Sequence, residues 1–154
     1  MIRPARPEDA GSVRQLVLDA YGHYVARMGK PPGPMLDDYA RRIADGQAWV
    51  LENEGGRPAG VLVLEDVPGE GALLLDNVAV APSAQGKGHG RALVAFAEAE
   101  ARRRGHGEVR LYTHVLMTEN QALYRRLGFR ETGRVSEKGY ERVYMAKATA
   151  AGPT

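Results

Sequence analysis

The chain has 154 residues, 44% hydrophobic and 26% charged, with a formal net charge of +2 and no cysteine. That length and composition suit one domain with its own core, and they exclude a disulfide framework and a thiol nucleophile. Residues 1–9 carry no apolar secretory core, no apolar run approaches the ~20 residues that cross a bilayer, and the dispersed charge gives nucleic-acid binding little support.

In chain order, residues 2–5 read as a short strand. Pro7-Glu8-Asp9 then opens a helix, with Val13, Leu16, Val17 and Ala20 at helical spacing up to Met28, and a break at Gly29-Lys30-Pro31-Pro32-Gly33-Pro34. A second short helix is predicted over 35–44, with Leu36, Tyr39, Ala40 and Ile43 on one face. Three strands follow over 48–51, 61–64 and 73–80, separated by turn-rich Asn53-Glu54-Gly55-Gly56 and by Pro68-Gly69, which predicts an antiparallel meander.

Residues 88–104 return to a helical period, with Leu93, Phe96, Ala97 and Ala101 as the buried stripe and Glu98–Arg102 and Glu100–Arg104 as i,i+4 pairs. Arg102-Arg103-Arg104 before Gly105 reads as a helix end and its cap, not as a nucleic-acid patch. A strand over 109–113 precedes Thr118-Glu119-Asn120-Gln121, a capping box that starts a helix ending at Gly128. Strands over 130–135 and 140–146 complete one domain over 1–147, and 148–154 is expected to be a flexible tail.

The informative feature is a strand, then Ala81-Pro82-Ser83-Ala84, then Gln85-Gly86-Lys87-Gly88-His89-Gly90-Arg91, then a helix. Glycines at that junction let the backbone approach a ligand and aim unpaired N–H groups at one point, at the positive end of a helix: an anion site suited to phosphate. Lys87 and Arg91 add charge at its rim. A Walker loop needs a hydroxyl after its lysine, and a dinucleotide fingerprint needs a third glycine where Arg91 stands. Neither nucleotide motif fits.

Val80-x-Pro82-x-x-Gln85-x-x-Gly88-x-Gly90 resembles the Arg/Gln-x-x-Gly-x-Gly/Ala signature of the GNAT superfamily of N-acetyltransferases, and Asn120-x-x-x-Tyr124-x-x-x-Gly128-Phe129 resembles its carboxy-terminal motif. The resemblance covers residues 2–147. It implies an α/β (α+β) fold with a mixed, largely antiparallel, splayed sheet flanked by helices, and acetyl-CoA as acetyl donor without a metal. It also implies that the pantetheine arm pairs with the main chain of Val78, Ala79 and Val80, and that main-chain N–H groups from Gln85 to Arg91 hold the pyrophosphate. Asn120 would contact the cofactor arm. Tyr124 would protonate the leaving thiolate, a role open to a phenol of ordinary pKa about 10 at neutral pH.

Asn120 and Tyr124 are i,i+4 and share a helix face, while Leu123 and Leu127 are expected to anchor an adjacent, buried face. The implied reaction is direct transfer to a primary amine, with the N–H of Val78 or Val80 meeting the oxyanion. Some relatives carry a glutamate on the strand before the glycine loop, where this chain reads Leu73-Leu74-Leu75; the candidate bases in its place are Asp76, Glu65 and, at a strand end, His114. The acceptor pocket is expected from residues 21–35, with Tyr21, Tyr24, Arg27 and also His114 as substrate contacts. Arg27 favours an amino-acid-like or peptide acceptor, whereas Asp37 and Asp38 favour a polyamine or aminoglycoside.

The four histidines, His23, His89, His106 and His114, have no metal-ligand spacing. The alternative is a non-catalytic acyl-CoA sensor that keeps the cofactor site. The expectation is a cytoplasmic enzyme whose partners are acetyl-CoA and an amine, without nucleic acid or membrane; a homodimer is a common state of related proteins.

Overall fold

The computed structural model describes residues 1–149. Its strands are β1 (Ile2–Pro4), β2 (Ala48–Glu52), β3 (Pro58–Val67), β4 (Ala72–Val80), β5 (Glu108–His114), β6 (Arg130–Glu137) and β7 (Tyr140–Ala148). The helices are α1 (Ala10–Tyr21), α2 (Tyr24–Met28), α3 (Tyr39–Ala44), α4 (His89–Arg103) and α5 (Thr118–Arg126). The strands form one seven-stranded sheet in the order β1-β2-β3-β4-β5-β7-β6, mostly antiparallel and flanked by helices, as expected. Among the described residues no helix is long and apolar enough to cross a membrane.

The chain forms two compact units. The first comprises Met1–Leu64 and Asn77–Ala95. In it β1, β2 and β3 pair antiparallel, with Arg3 opposite Val50 and Val50 opposite Val61. Its core gathers Val13, Leu16 and Val17 of α1, Ile43 of α3, Val50 and Val61 to Leu64 of the strands, and Leu93 and Val94 of α4. At β3 the backbone comes so close to α4 that a Cβ on Gly60 would stand 3.0 Å from Leu93 Cδ1. The carboxylate of Asp9 accepts from the Arg6 N–H and from Arg3 Nη1, both at 2.7 Å, closing the turn before α1. The Arg3 hydrogen bond holds the Asp9 carboxyl below the usual carboxylate range against the opposing cost of burial.

Two expected helices are divided. The first is a 3-10 turn, Pro7–Asp9, followed by α1 and α2, which are parted at Gly22 and His23. The expected helix over 35–44 is a 3-10 turn, Gly33–Leu36, and then α3. Asp38 parts them because its side chain accepts the Arg41 N–H at 3.1 Å and starts α3 as an N-cap.

The second unit comprises Glu65–Asp76 and Phe96–Thr154, described to residue 149. Here β4 and β5 are parallel, from Ala72 opposite Glu108 to Leu75 opposite Leu111. Beyond that register β5 keeps its β7 partners: Tyr112 faces Tyr144, Thr113 faces Val143 and His114 faces Arg142. Leu73, Leu75, Val109, Leu111, Val143 and Met145 are buried.

Ala148 still pairs with Glu108, and Thr149 donates its N–H to the Gly107 carbonyl, so the chain stays tied to β5 two residues past the expected domain end. The rest of the expected tail, 150–154, lies outside the described residues. Glu100 pairs with Arg104 at 3.3 Å as expected and also with Arg103, whereas Glu98 pairs with Lys147 at 2.6 Å.

The capping box at Thr118 does not form: α5 has no side-chain N-cap bond, and Gln121 Nε2 instead donates to the carbonyls of His114 and Val115. That engagement buries Gln121, and the buried side of α5 is Gln121 with Tyr124, while Leu123 and Leu127 are half-buried. Lys147 Nζ donates to the Leu127 carbonyl at 2.8 Å, closing the carboxy-terminal end of α5.

Candidate functional site

In the first unit the end of β4 and the glycine loop are continuous. Ala81 donates its N–H to Ala59 of β3, and Ala79 O lies on the same side, next to Gly60. Peptide groups alternate along a strand, so the N–H and C=O groups of Val78 and Val80 face away from β3. On that side the carbonyl of Val78 accepts from the Tyr21 hydroxyl at 2.9 Å, and the carbonyl of Val80 accepts from Gln85 Nε2 at 3.2 Å.

A 3-10 turn, Pro82–Ala84, then turns the chain into the loop. Gly86 and Gly88 stand at φ +81° and +82°, the left-handed region that glycine adopts without a Cβ penalty. Nothing lies within 4 Å of a Cβ built on Gly86, Gly88 or Gly90. Ala92 N–H bonds to Gly88 O, so the N–H groups of His89, Gly90 and Arg91 precede the helical ladder of α4 and project from its positive end. Gln85, Gly86, Lys87, Gly88 and Arg91 are exposed, and His89 and Gly90 half-buried. Backbone donors beside three glycines with open space where a Cβ would stand suit an anion such as a pyrophosphate, while the Gln85 N–H is already bonded to Pro82 O at 3.4 Å.

The residues expected at the acceptor divide within this unit. Tyr21 is buried, its hydroxyl shared between Asn77 Oδ1 and Val78 O at 2.9 Å each. Asn77 Nδ2 donates to the Tyr39 hydroxyl at 3.0 Å, and that hydroxyl donates to Pro34 O at 2.5 Å. Tyr21 thus braces β4. Tyr24 packs its ring against Tyr21 and His23, with the Arg27 guanidinium 5.1 Å from its centroid.

In the second unit, half-buried and buried residues alternate along β5 and β7, giving one face with Tyr112, His114, Tyr140, Arg142 and Tyr144. The Tyr112 hydroxyl donates to Asp76 Oδ1 at 2.9 Å. The Arg142 guanidinium lies 4.3 Å from the Tyr112 ring centroid and 5.6 Å from that of Tyr140. Arg142 Nη1 donates to Glu137 at 2.8 Å, and Glu137 also accepts from Tyr144. Burial, and then the Asp76 charge, push the Tyr112 phenol above its ordinary pKa, so it remains a donor. The Tyr144 bond, followed by the Arg142 bond, holds Glu137 below the usual carboxylate range.

His114 accepts the Leu116 N–H on Nδ1 at 3.1 Å and meets Tyr140 edge-on. Asn120 is half-buried on α5, and Tyr124 is buried, its ring 5.9 Å from Phe129. Among the described residues no group of three or more His, Asp or Glu side chains is placed to hold a metal ion.

Sequence reasoning passed over Asn77, Tyr112, Arg142 and Tyr144. Period-two alternation would have put Tyr112 with His114, and Arg142 with Tyr144, each pair on one strand face; the strand register that joins the pairs is set by tertiary pairing.

Residues 44–131 match the model of the acetyltransferase (GNAT) domain family. The chain belongs to that family. The GNAT chain is 33% identical over 97 residues to the probable N-acetyltransferase family 8 member 5 of Mus musculus, a match over 61% of this chain and 43% of the mouse protein. It therefore spans less than half the length of that relative.

Among solved structures, a GNAT-family acetyltransferase of Desulfovibrio desulfuricans is similar at a TM-score of 0.78 and 21% identity, over 97% of this chain and 99% of that one. The PaiA N-acetyltransferase of Thermoplasma acidophilum, solved in complex with coenzyme A, is similar at a TM-score of 0.76 and 18% identity, over 96% and 98% of the two chains. At those identities the likeness concerns the fold of this GNAT domain.

Proposed function

We propose that this GNAT domain is an acetyl-CoA-dependent N-acetyltransferase that acylates a primary amine by direct transfer. The observation that carries this reading is the continuity of β4 with the loop: the Val78 and Val80 N–H groups facing away from β3, followed by Gly86 and Gly88 at positive φ and the open start of α4. Backbone N–H groups of Val78 and Val80 hold the cofactor arm, and those from Gly86 to Arg91 hold its pyrophosphate, with Lys87 and Arg91 supplying charge at the rim; of the other expected contacts, Ala79 faces β3 and the Gln85 N–H bonds to Pro82 O at 3.4 Å. Family membership supports acetyl transfer as the chemistry.

Bound acetyl-CoA supplies an acetyl group activated as a thioester. Asp76 takes a proton from the ammonium form of the acceptor, which frees the nitrogen lone pair. Once the N–C bond has formed the nitrogen sheds a second proton; the Tyr124 hydroxyl gives its own proton to the departing sulfur and is restored by that second nitrogen proton, relayed through water, while Asn120, one turn earlier on α5, steadies the arm. The N–H of Val78 or of Val80 supplies a preorganised donor for negative charge on the transferred carbonyl oxygen. Tyr24 and Arg27 contact the acceptor, with His114 as a further contact.

The test is incubation with acetyl-CoA and a panel of amino acids, peptides, polyamines and aminoglycosides, following thiol release and acetylated product together. Stoichiometric release of thiol and product from at least one amine is expected. Coenzyme A binding without turnover on any amine would make the chain an acyl-CoA sensor, and absence of coenzyme A binding would overturn both readings.

A further inference from the structure

We infer that Tyr112 is a positioning residue for acetyl transfer, its hydroxyl holding the Asp76 carboxylate in the orientation in which that carboxylate receives the acceptor's proton. The inference rests on the proposed role of Asp76. Asp76 is the next residue on β4 after Leu75, the last to pair with β5, and Tyr112 is the next on β5 after Leu111. A short carboxylate at that point needs a partner to fix its rotamer, and the Tyr112 hydroxyl provides one at 2.9 Å from Oδ1.

Tyr112 is itself held from several sides. Tyr144 of β7 lies across from it with ring centroids 5.6 Å apart, and Arg142 of β7 covers its ring at 4.3 Å. Glu137 of β6 fixes both of those residues by accepting from each. The charged and titratable groups around the phenol are therefore Asp76 from β4, Arg142 and Tyr144 from β7, and Glu137 behind them. For stability alone, an apolar residue at position 76 would avoid the cost of desolvating a carboxylate. The phenol stays protonated, so it orients Asp76 without competing for the proton.

The experiment compares kcat and KM of Tyr112→Phe, Asp76→Asn and the double variant, with thermal unfolding measured alongside. Tyr112→Phe should lower kcat about tenfold with KM for acetyl-CoA unchanged. The double variant should be no slower than Asp76→Asn.

An unchanged kcat in Tyr112→Phe, with Asp76→Asn slow, would overturn the positioning role and leave that of Asp76 standing. A fully active Asp76→Asn would overturn the role of Asp76 itself. If Tyr112→Phe unfolds, 3-fluorotyrosine at position 112 keeps the shape and donates a stronger hydrogen bond, and it should change kcat with KM for acetyl-CoA unchanged; an unchanged kcat there would also refute the inference.

Discussion

The Tyr21 hydroxyl sits 2.9 Å from Asn77 Oδ1, and it reaches the carbonyl of the next residue, Val78, at the same distance. Asn77 passes the connection on to Tyr39, so two tyrosines from separate segments converge on one buried amide. Removing one member leaves polar atoms without partners in a dry environment. Tyr21→Phe and Tyr39→Phe should each cost about 1–3 kcal/mol in denaturant unfolding. The double variant should cost less than their sum, because both act on Asn77. Strict additivity would show that the two hydroxyls contribute independently.

Gly88 and Gly90 separate backbone strain from ligand exclusion. Both have open space where a Cβ would stand, but only Gly88 has a positive φ. Gly88→Ala should destabilise by about 1 kcal/mol, and Gly90→Ala should be neutral or slightly stabilising because helix propensity improves. Gly88→Glu and Gly90→Glu should both abolish coenzyme A binding through bulk and like charge. Calorimetric titration alongside thermal unfolding checks this, and unaltered affinity in Gly90→Glu would move the phosphates elsewhere.

Tyr124 is buried against Phe129. Tyr124→Phe keeps that ring contact and deletes the proposed acid. Turnover should fall roughly 100-fold while the dissociation constant of coenzyme A stays within about twofold. Equal losses in rate and affinity would assign the hydroxyl to binding.

Asp9 predicts the acid side of the stability profile. Its folded pKa lies below its unfolded value of about 3.9, chiefly because of Arg3. The resulting stabilisation is present above the unfolded pKa and is lost as pH falls through the lower folded one. The unfolding midpoint should therefore decline below about pH 4, and Asp9→Asn should flatten that decline while lowering the midpoint at pH 7. A slope identical to that of the parent would place the titrating group elsewhere.

Local chemistry was legible in the sequence, and contacts across the sheet were not. The glycine loop could be read because glycine, helix start and strand end are neighbours in the chain. The helix break at Asp38 had a visible signal, an N-cap residue ahead of Tyr39, which the apolar run from Leu36 to Ile43 outweighed. The break at Gly22 had less, since Tyr21 and Tyr24 are both buried across it and the apolar period continues. Thr118 carried a capping signature, but Gln121 turns back to His114 and Val115, carbonyls that only the folded loop brings within reach. Tyr112 was passed over for the same reason: its meaning comes from Asp76, Arg142 and Tyr144, each on another strand or another turn of the register.

Near the end of β4, the carbonyls of Val78 and Val80 on the side away from β3 are each covered by a side-chain donor, Val78 by Tyr21 and Val80 by Gln85. A bare carbonyl oxygen presents partial negative charge to whatever approaches the strand. Covering both mutes the repulsive half of each peptide dipole and leaves the N–H half dominant, so this stretch of strand carries a donor-rich polarity continuous with that of the loop and the start of α4. A glutamine and a tyrosine thereby cap the carbonyls of this stretch of main chain, although neither carries a charge.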